Sequence, residues 1–596
     1  MCSCRNVKFV GGCLERLTPY KGQKYSVLKK SCWEANKLFE DPEFPTVDKS
    51  LFYQRSPPGR VEWKRPGVIP NWKEQEWDPK HPESYAGIFH FCFWIFGEWI
   101  DVVIDDRLPT ISGKLVYCHS KEKNEFWSAL LEKAYAKLST CYESLDGGDA
   151  VCALVDFSGG IAEHINLEKG HYASDPSAQA GLFKKLLKVY ERNGMISCSI
   201  KVGCHAYSVT AVRKIRLGQS MQAHFKVEKI PMIRMRNPWG KIEWKGPWSD
   251  GSEEWQRVGS TERESIGLTV EDDGEFWMAF DDWCKYFTSA DVCHVINTSL
   301  AEAGKTWNKV VHYGSWTKHP VPILNRCGGC MNDKETFLQN PQYLFNMTKE
   351  EEEILVSLQQ QDMKIHRPPG QGENLTIGFV ILKVELNRKY RMHDILTQEV
   401  VATSTYINSR SVFMHKILPK GCYIIVPSTF TPEVLGDFMI SVYTDVDSGL
   451  RVLTEDKPRV NCWSAYLGYP RVVTQIHIHG AEGLENQDSS GGADPYVVIH
   501  CEGKSVQSAV QKDTLDPIFD MRAIFYRKKP RKPIIVEVWN SNALQDEFMG
   551  QVVLTASVQD SAERRNIRLQ NRGQDAGDET PGTITLRVIT SAQLTS

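Results

Sequence analysis

The chain has no strong excess of either charge. Its net charge of −3 over 596 residues gives no global pull toward nucleic acid. The N-terminal stretch "MCSCRNVKFVGGC" lacks the apolar core of a signal peptide. The 17 cysteines are scattered singly, as in a reducing compartment, and "CGGC" at 327–330 has no second CxxC to complete a zinc site. Cys2 and Cys4 have no second anchoring signal nearby and read as unmodified thiols. These absences point to an intracellular, cytoplasmic protein. A membrane span is missing too, although "YAGIFHFCFWIFGEWIDVVIDD" at 85–106 imitates one. His90, Glu98 and Asp101 interrupt it, and each charge costs ~3 kcal/mol in a bilayer core. Aromatic and β-branched residues around Gly97 predict a buried β-hairpin instead.

What is present is an ordinary globular composition, 41% hydrophobic and 24% charged, at a length suggesting about four domains. Residues 1–25 read as a tail and 26–168 as a mixed region. Its clearest helix is "NEFWSALLEKAYAKL" at 124–138, with Asn124 as N-cap candidate and Trp127, Leu130, Leu131, Ala134 and Leu138 on one face. Residues 169–298 are strand-rich and dense in tryptophan. Residues 300–450 read as an all-β sandwich, 451–470 as a linker, and 471–596 as a second sandwich. In the last, Ile476 and Ile478, then Ile584, Leu586 and Val588, follow period-two alternation.

Two short stretches suggest chemistry. "GCHAYSVT" places His205 at the head of a strand, and "RMRNPWG" offers Asn237. A histidine acts as a base when a third group fixes its tautomer. The Asn237 amide carbonyl can accept the far ring N–H without adding charge. Pro238 favours an extended Asn237, and Trp239 can cover the bond. On spacing alone, His205 reads first as a core histidine.

Those two stretches, with "KIEWKGPWSD", "DDGEFWMAF" at 272–280, "DVVIDDRLPT" and "FLQNPQY", resemble the calpains, papain-like calcium-dependent cysteine endopeptidases. No EF-hand loop ends the chain, so the likeness is to the atypical members that finish in a C2 domain. The resemblance implies an α+β papain-like two-lobed core with a truncated first lobe, then two all-β sandwiches, a calpain C2-like domain and a C2 domain. It places the triad histidine and asparagine on His205 and Asn237.

The nucleophile does not carry over. The family's Gln-Gly-x-x-Gly-x-Cys-Trp block belongs between "EWKRP" and "IPNWKEQEW", and here Pro66-Gly67-Val68-Ile69-Pro70 joins them directly. A shorter stretch is missing before Gly203. Cys204 adjoins His205, but strand neighbours point to opposite faces. Cys32-Trp33 lacks the preceding glycines. The lost block also carried the central helix, so Trp127, Leu130 and Leu131 are expected to face a void or water, making the first lobe the weak part.

The resemblance further implies calcium at Glu243, Asp250, Asp273 and Glu275 in the second lobe, with Glu125 the remnant of a first-lobe site. Asp488, Asp494 and Asp546 match C2 calcium loops, but Asn540 and Asn542 stand where aspartates are usual, so affinity there is expected to be feeble. "YRKKPRKP" clusters Arg527, Lys528, Lys529, Arg531 and Lys532, which suits anionic lipid or an acidic partner. It equally suits a solvated strand end or a nuclear localisation signal. Partners are thus protein substrates or binding proteins and an anionic membrane, with no nucleic acid. Two functions remain: an endopeptidase without its cysteine, inactive as written, or a calpain-fold scaffold.

Overall fold

The computed structural model describes residues 17–57, 59–66, 85–120, 122, 125–146, 150–200, 206–218, 228–240, 242–271, 273–296, 306–361, 373–460, 464, 468–487, 492–542, 544–558, 560, 562–573 and 577–595. The chain forms two compact units. The first holds Met1–Trp307, Gln359–Asn374 and Arg410–Phe413, and the second holds the remainder.

In the first unit, the hydrophobic stretch at 85–106 is a hairpin of Ile88–Ile95 and Glu98–Asp105. Phe96 and Gly97 both take positive φ, 47° and 95°, the two-residue turn that suits strand twist. The expected helix begins at Trp127 and runs to Leu138, and Asn124 lies outside the described residues. The expected void under it does not exist. Leu130 and Ala134 are fully buried and pack with Phe89, Phe91, Phe93, Val102 and Ile104 of the hairpin. Leu131 is half-buried against the same cluster, and Trp127, at 37% exposure, is the member of this face that meets water. The hairpin supplies the apolar surface against which this helix packs.

Beneath that contact lies a charged layer. Lys133 and Lys137, one turn apart on the same helix, are both fully buried. Lys133 Nζ donates to Asp105 Oδ1 and to the Arg107 carbonyl, each at 2.6 Å. Lys137 Nζ donates to Asp41 Oδ2 and the Val103 carbonyl, each at 2.6 Å. Burial pushes the Asp105 carboxyl up, but Lys133 and Arg107 outweigh it and hold the group at about 2. On the helix Ala150–Ser158, Asp156 accepts from Tyr135 at 2.8 Å and pairs with Arg410 at 2.8 Å.

The second lobe is an antiparallel sheet of six strands. Their order is Glu275–Ala279, Lys229–Arg236, Ala206–Arg216, Met195–Ser199, Ser289–His294, Ile161–Asn166. Ile161–Asn166, which falls within the expected bounds of the first lobe, instead forms the edge of this sheet by pairing with Ser289–His294. The helix Pro176–Glu191 starts at Asp175, whose side chain accepts from the Ser177 and Ala178 N–H groups. Its Leu182, Phe183 and Leu186 pack with Ile233, Met235 and Trp283. On the other core, Trp248, Trp255 and Trp277 join Ala211 and Ile215, which accounts for much of the tryptophan density.

The second unit contains two eight-stranded β assemblies. The last one has Ile476, Ile478, Ile584 and Leu586 fully buried in its core, as alternation predicts. The intervening Gln475 and His477 are buried as well. The preceding sandwich covers them: Gln475 donates to Glu385 at 3.0 Å, and His477 shares Asp520 with Lys383. Ile518–Arg527 is the outer strand of this sheet. It is met by the Leu386 N–H on the Arg522 carbonyl at 2.9 Å, and by Asn387, whose side chain bonds both the N–H and carbonyl of Ile524.

Candidate functional site

Asn237 is the first residue after the strand Lys229–Arg236. Its N–H donates to the Gly274 carbonyl at 2.8 Å, tying the exit of that strand to the entry of its neighbour Glu275–Ala279. Asn237 is 4% exposed. Its Oδ1 accepts the Trp239 N–H at 3.1 Å and its Nδ2 donates to the Ile242 carbonyl at 3.0 Å. The expected acceptor for His205 therefore already carries a backbone N–H, with one carbonyl lone pair left. Trp239 is expected to cover the His205–Asn237 bond; its main-chain N–H bonds Asn237 and the residue is 58% exposed. His205 and Cys204 lie outside the described residues, as do positions 67–70 of the short junction.

The Asn237 amide stabilises an unusual turn. Ile242 has φ 67° and Trp248 has φ 67°, a region strained for bulky and above all β-branched residues. This loop carries Glu243 and Asp250. With Val270 and Glu271 they line a cavity of about 580 Å³. Glu243 Oε1 accepts the Gly274 N–H at 2.8 Å, and Asp273 Oδ1 accepts the Glu275 N–H at 2.8 Å. Glu275 lies 3.5 Å from Arg234 Nε. Asp250 Oδ2 is buried without a hydrogen-bond partner among the described residues. Burial, then Glu243, Asp273 and Glu275, push the Asp250 carboxyl up to about 6, against a Glu271 backbone bond. The four residues thus share one electrostatic neighbourhood, although no three His, Cys, Asp or Glu among the described residues converge as metal ligands. The strained Ile242 that shapes this loop has no sequence signal beyond its place between Gly240 and Glu243.

Glu125 bonds Ser120 and the Trp127 indole N–H. Asp488 lies outside the described residues, and Asp494 and Asp546 sit at one end of the last sandwich. The basic cluster divides. Lys528, Lys529, Arg531 and Lys532 are exposed. Arg527 is fully buried and donates to the Ala556, Pro530 and Lys532 carbonyls. It is a structural tie, not a lipid contact as the cluster suggested.

The described protease-region cysteines with a shifted thiol are shifted upward. Burial and the adjacent Asp101 push Cys92 up to about 12. Burial raises Cys198 and Cys284 to about 12 and Cys293 to about 11. Cys32, also raised by burial, packs with Phe39 and Val103.

The family model of the calpain cysteine protease matches residues 68–294, that of calpain large subunit domain III matches 312–443, and that of the C2 domain matches 473–570. Calpain-5 of Mus musculus is 49% identical over 636 aligned positions, covering 97% of this chain and 99% of its own length. Calpain-5 of Caenorhabditis elegans is 33% identical, covering 93% and 96%. Calpain-A of Drosophila melanogaster is 38% identical, covering 75% and 60%. Three matching models in calpain order and similarity along nearly the whole length show that this chain belongs to the calpain family of calcium-dependent cysteine proteases.

Proposed function

We propose that this chain keeps the calpain architecture as a calcium-responsive scaffold and does not cut peptide bonds as written. One reading of the sequence carries this proposal: Pro66-Gly67-Val68-Ile69-Pro70 stands where, by resemblance, the family's cysteine block is expected. Two observations support it. The alignment with Mus musculus calpain-5 spans more positions than this chain has residues, 636 against 596. The described protease-region cysteines with a shifted thiol are all shifted upward, whereas a nucleophilic cysteine needs thiolate character. His205 and Asn237 can hold and orient a proton, but they need a thiol to take it from. Losing a triad nucleophile costs ~10⁶ in kcat.

Calcium fits the second lobe in part. The buried Asp250 Oδ2, without a partner among the described residues, and the nearby Glu243, Asp273 and Glu275 are the hard oxygens such a site would use, although they do not converge as ligands here. Glu243 and Asp250 on one loop, with Asp273 and Glu275 on the other, would hold the ion. A bound cation supplies charge neutralisation there and ties the two loops flanking Asn237. The exposed Lys528, Lys529, Arg531 and Lys532 suit an anionic membrane or acidic partner. The test is incubation of the full chain with casein and millimolar calcium. No fragments should form over hours. Calcium-dependent fragments that a thiol-directed epoxide abolishes would overturn the reading.

A further inference from the structure

The calcium loops of the C2 unit do not fit a calcium ion in the way its fold implies. Asp494 is the first-loop carboxylate among the described residues. Its Oδ2 pairs with Lys512 Nζ at 2.7 Å, and its Oδ1 accepts the Asp513 N–H at 2.8 Å. Asp513 in turn accepts the Gly492 N–H at 2.6 Å, and Thr514 N–H reaches the Ala493 carbonyl at 2.8 Å. The segment 512–514 is therefore fastened along 492–494. The space is tight, since a Cβ on Gly492 would lie 2.9 Å from the Asp513 carbonyl carbon.

The third loop is closed as well. Asn540 is fully buried and its Oδ1 accepts the Asp494 N–H at 2.8 Å, while the Ser541 N–H reaches the Asp494 carbonyl at 3.0 Å. Asp546 accepts the Asn542 N–H at 3.0 Å and the Tyr496 hydroxyl at 2.7 Å. Each of the four carboxylate oxygens of Asp494 and Asp546 thus has a protein donor. Calcium takes six to eight oxygens and favours sites with several anionic ligands. Here it would have to expel an ammonium group from Asp494 and draw Asp546 away from a tyrosine.

We propose that Lys512 is the resident cation at Asp494 of this C2 unit, that calcium does not displace it there, and that whatever this part of the loop end contacts is engaged without a calcium signal. Lys512 supplies in place the positive charge that calcium brings to other C2 units, and Asn540 supplies a neutral bond where an anionic ligand would be needed. The calcium response of the whole chain then resides away from Asp494. This does not depend on whether the second-lobe site is occupied.

Hydrogen-exchange mass spectrometry on the full chain tests it, comparing excess chelator with millimolar calcium. Peptides covering 492–498 and 508–516 should exchange at the same rate, within about twofold, in both conditions. In Lys512→Ala, whose lysine is an exposed surface residue, the same peptides should exchange severalfold faster in chelator, and calcium should slow them again. Peptides covering 243–250 report the second-lobe site separately within the same data. Calcium protection of the 492–498 or 508–516 peptides in the unmodified chain overturns the proposal. So does a Lys512→Ala chain whose loops ignore calcium, because the lysine is then not what excludes the ion.

Discussion

Lys133→Met tests whether the first lobe is held by its buried ions. In the intact chain Lys133 bonds Asp105 and the Arg107 carbonyl, and its ammonium lies 5.3 Å from the Trp63 ring centroid. Breaking a buried pair by removing one partner costs about 3–5 kcal/mol. After Lys133→Met, Asp105 keeps the Arg107 guanidinium at 2.8 Å and the Asp41 N–H at 2.8 Å, so the loss should fall near the lower end. Asp105→Asn is the harsher change, because it removes the counter-charge of a fully buried ammonium. The double variant should lose less than the sum, by about 1–3 kcal/mol, as expected for groups in one network. The two units need not unfold together, so a single melting temperature is a poor readout. Exchange protection of the helix Trp127–Leu138 reports the lobe directly. At about 1.4 kcal/mol per tenfold, exchange should accelerate roughly 10²–10³-fold. Lys30→Ala, which removes an exposed pair with Glu34, should change it by less than about threefold. Accelerations under tenfold for both Lys133→Met and Asp105→Asn would refute the view that this layer holds the lobe.

Three further outcomes are expected. Glu132 is pushed up to about 7 by burial, against a bond from the Cys118 N–H and the nearby His119. Its folded pKa exceeds the unfolded value, so its contribution is fully present below about 4.5 and lost as pH rises through 7. Glu132→Gln should therefore be more protected than the parent at pH 8, by up to about 2–3 kcal/mol, and no more protected at pH 4.5, as read by exchange of peptides 127–138. Asp250→Ala combined with Asp273→Ala should abolish calcium-dependent protection of peptides 243–250 and the calorimetric heat that accompanies it. Arg527→Ala should destabilise the last sandwich by about 3 kcal/mol or more, since three carbonyls lose their donor, whereas Lys528→Ala with Lys532→Ala should leave its melting unchanged and weaken binding to phosphatidylserine vesicles by ~1 kcal/mol per charge.

The hairpin was legible from the aromatic and β-branched runs that flank Gly97, and the last sandwich because its strands alternate in a pattern that needs no knowledge of the partner. The helix face Leu130, Ala134 and Leu138 was legible for the same reason. Lys133 and Lys137 were not: they fall outside the apolar stripe and read as solvent-facing, and only the return of Asp41 and Asp105 from distant segments makes burying them tolerable. Arg527 misled in the same way, because a charge run in sequence does not say which member turns inward to cap carbonyls. The pairing of the Asn237 amide oxygen with the Trp239 N–H is local, and the expected pairing with His205 drew attention away from it. Lys512 has no motif. It matters because of the carboxylate it meets, eighteen residues earlier in the chain.

The covered outer strand Ile518–Arg527 has a practical corollary for anyone who cuts the chain. A C2 domain is commonly treated as a portable module, expressed alone and grafted at will. Here a fragment starting at residue 471 would leave a row of main-chain donors and acceptors open, together with Arg522, which binds the Thr397 carbonyl and Glu399 in the intact chain. An unpaired edge of that kind recruits other strands, so such a piece should self-associate. One beginning near 308 should stay monomeric, which makes the tandem of both sandwiches the smallest transferable part of this protein.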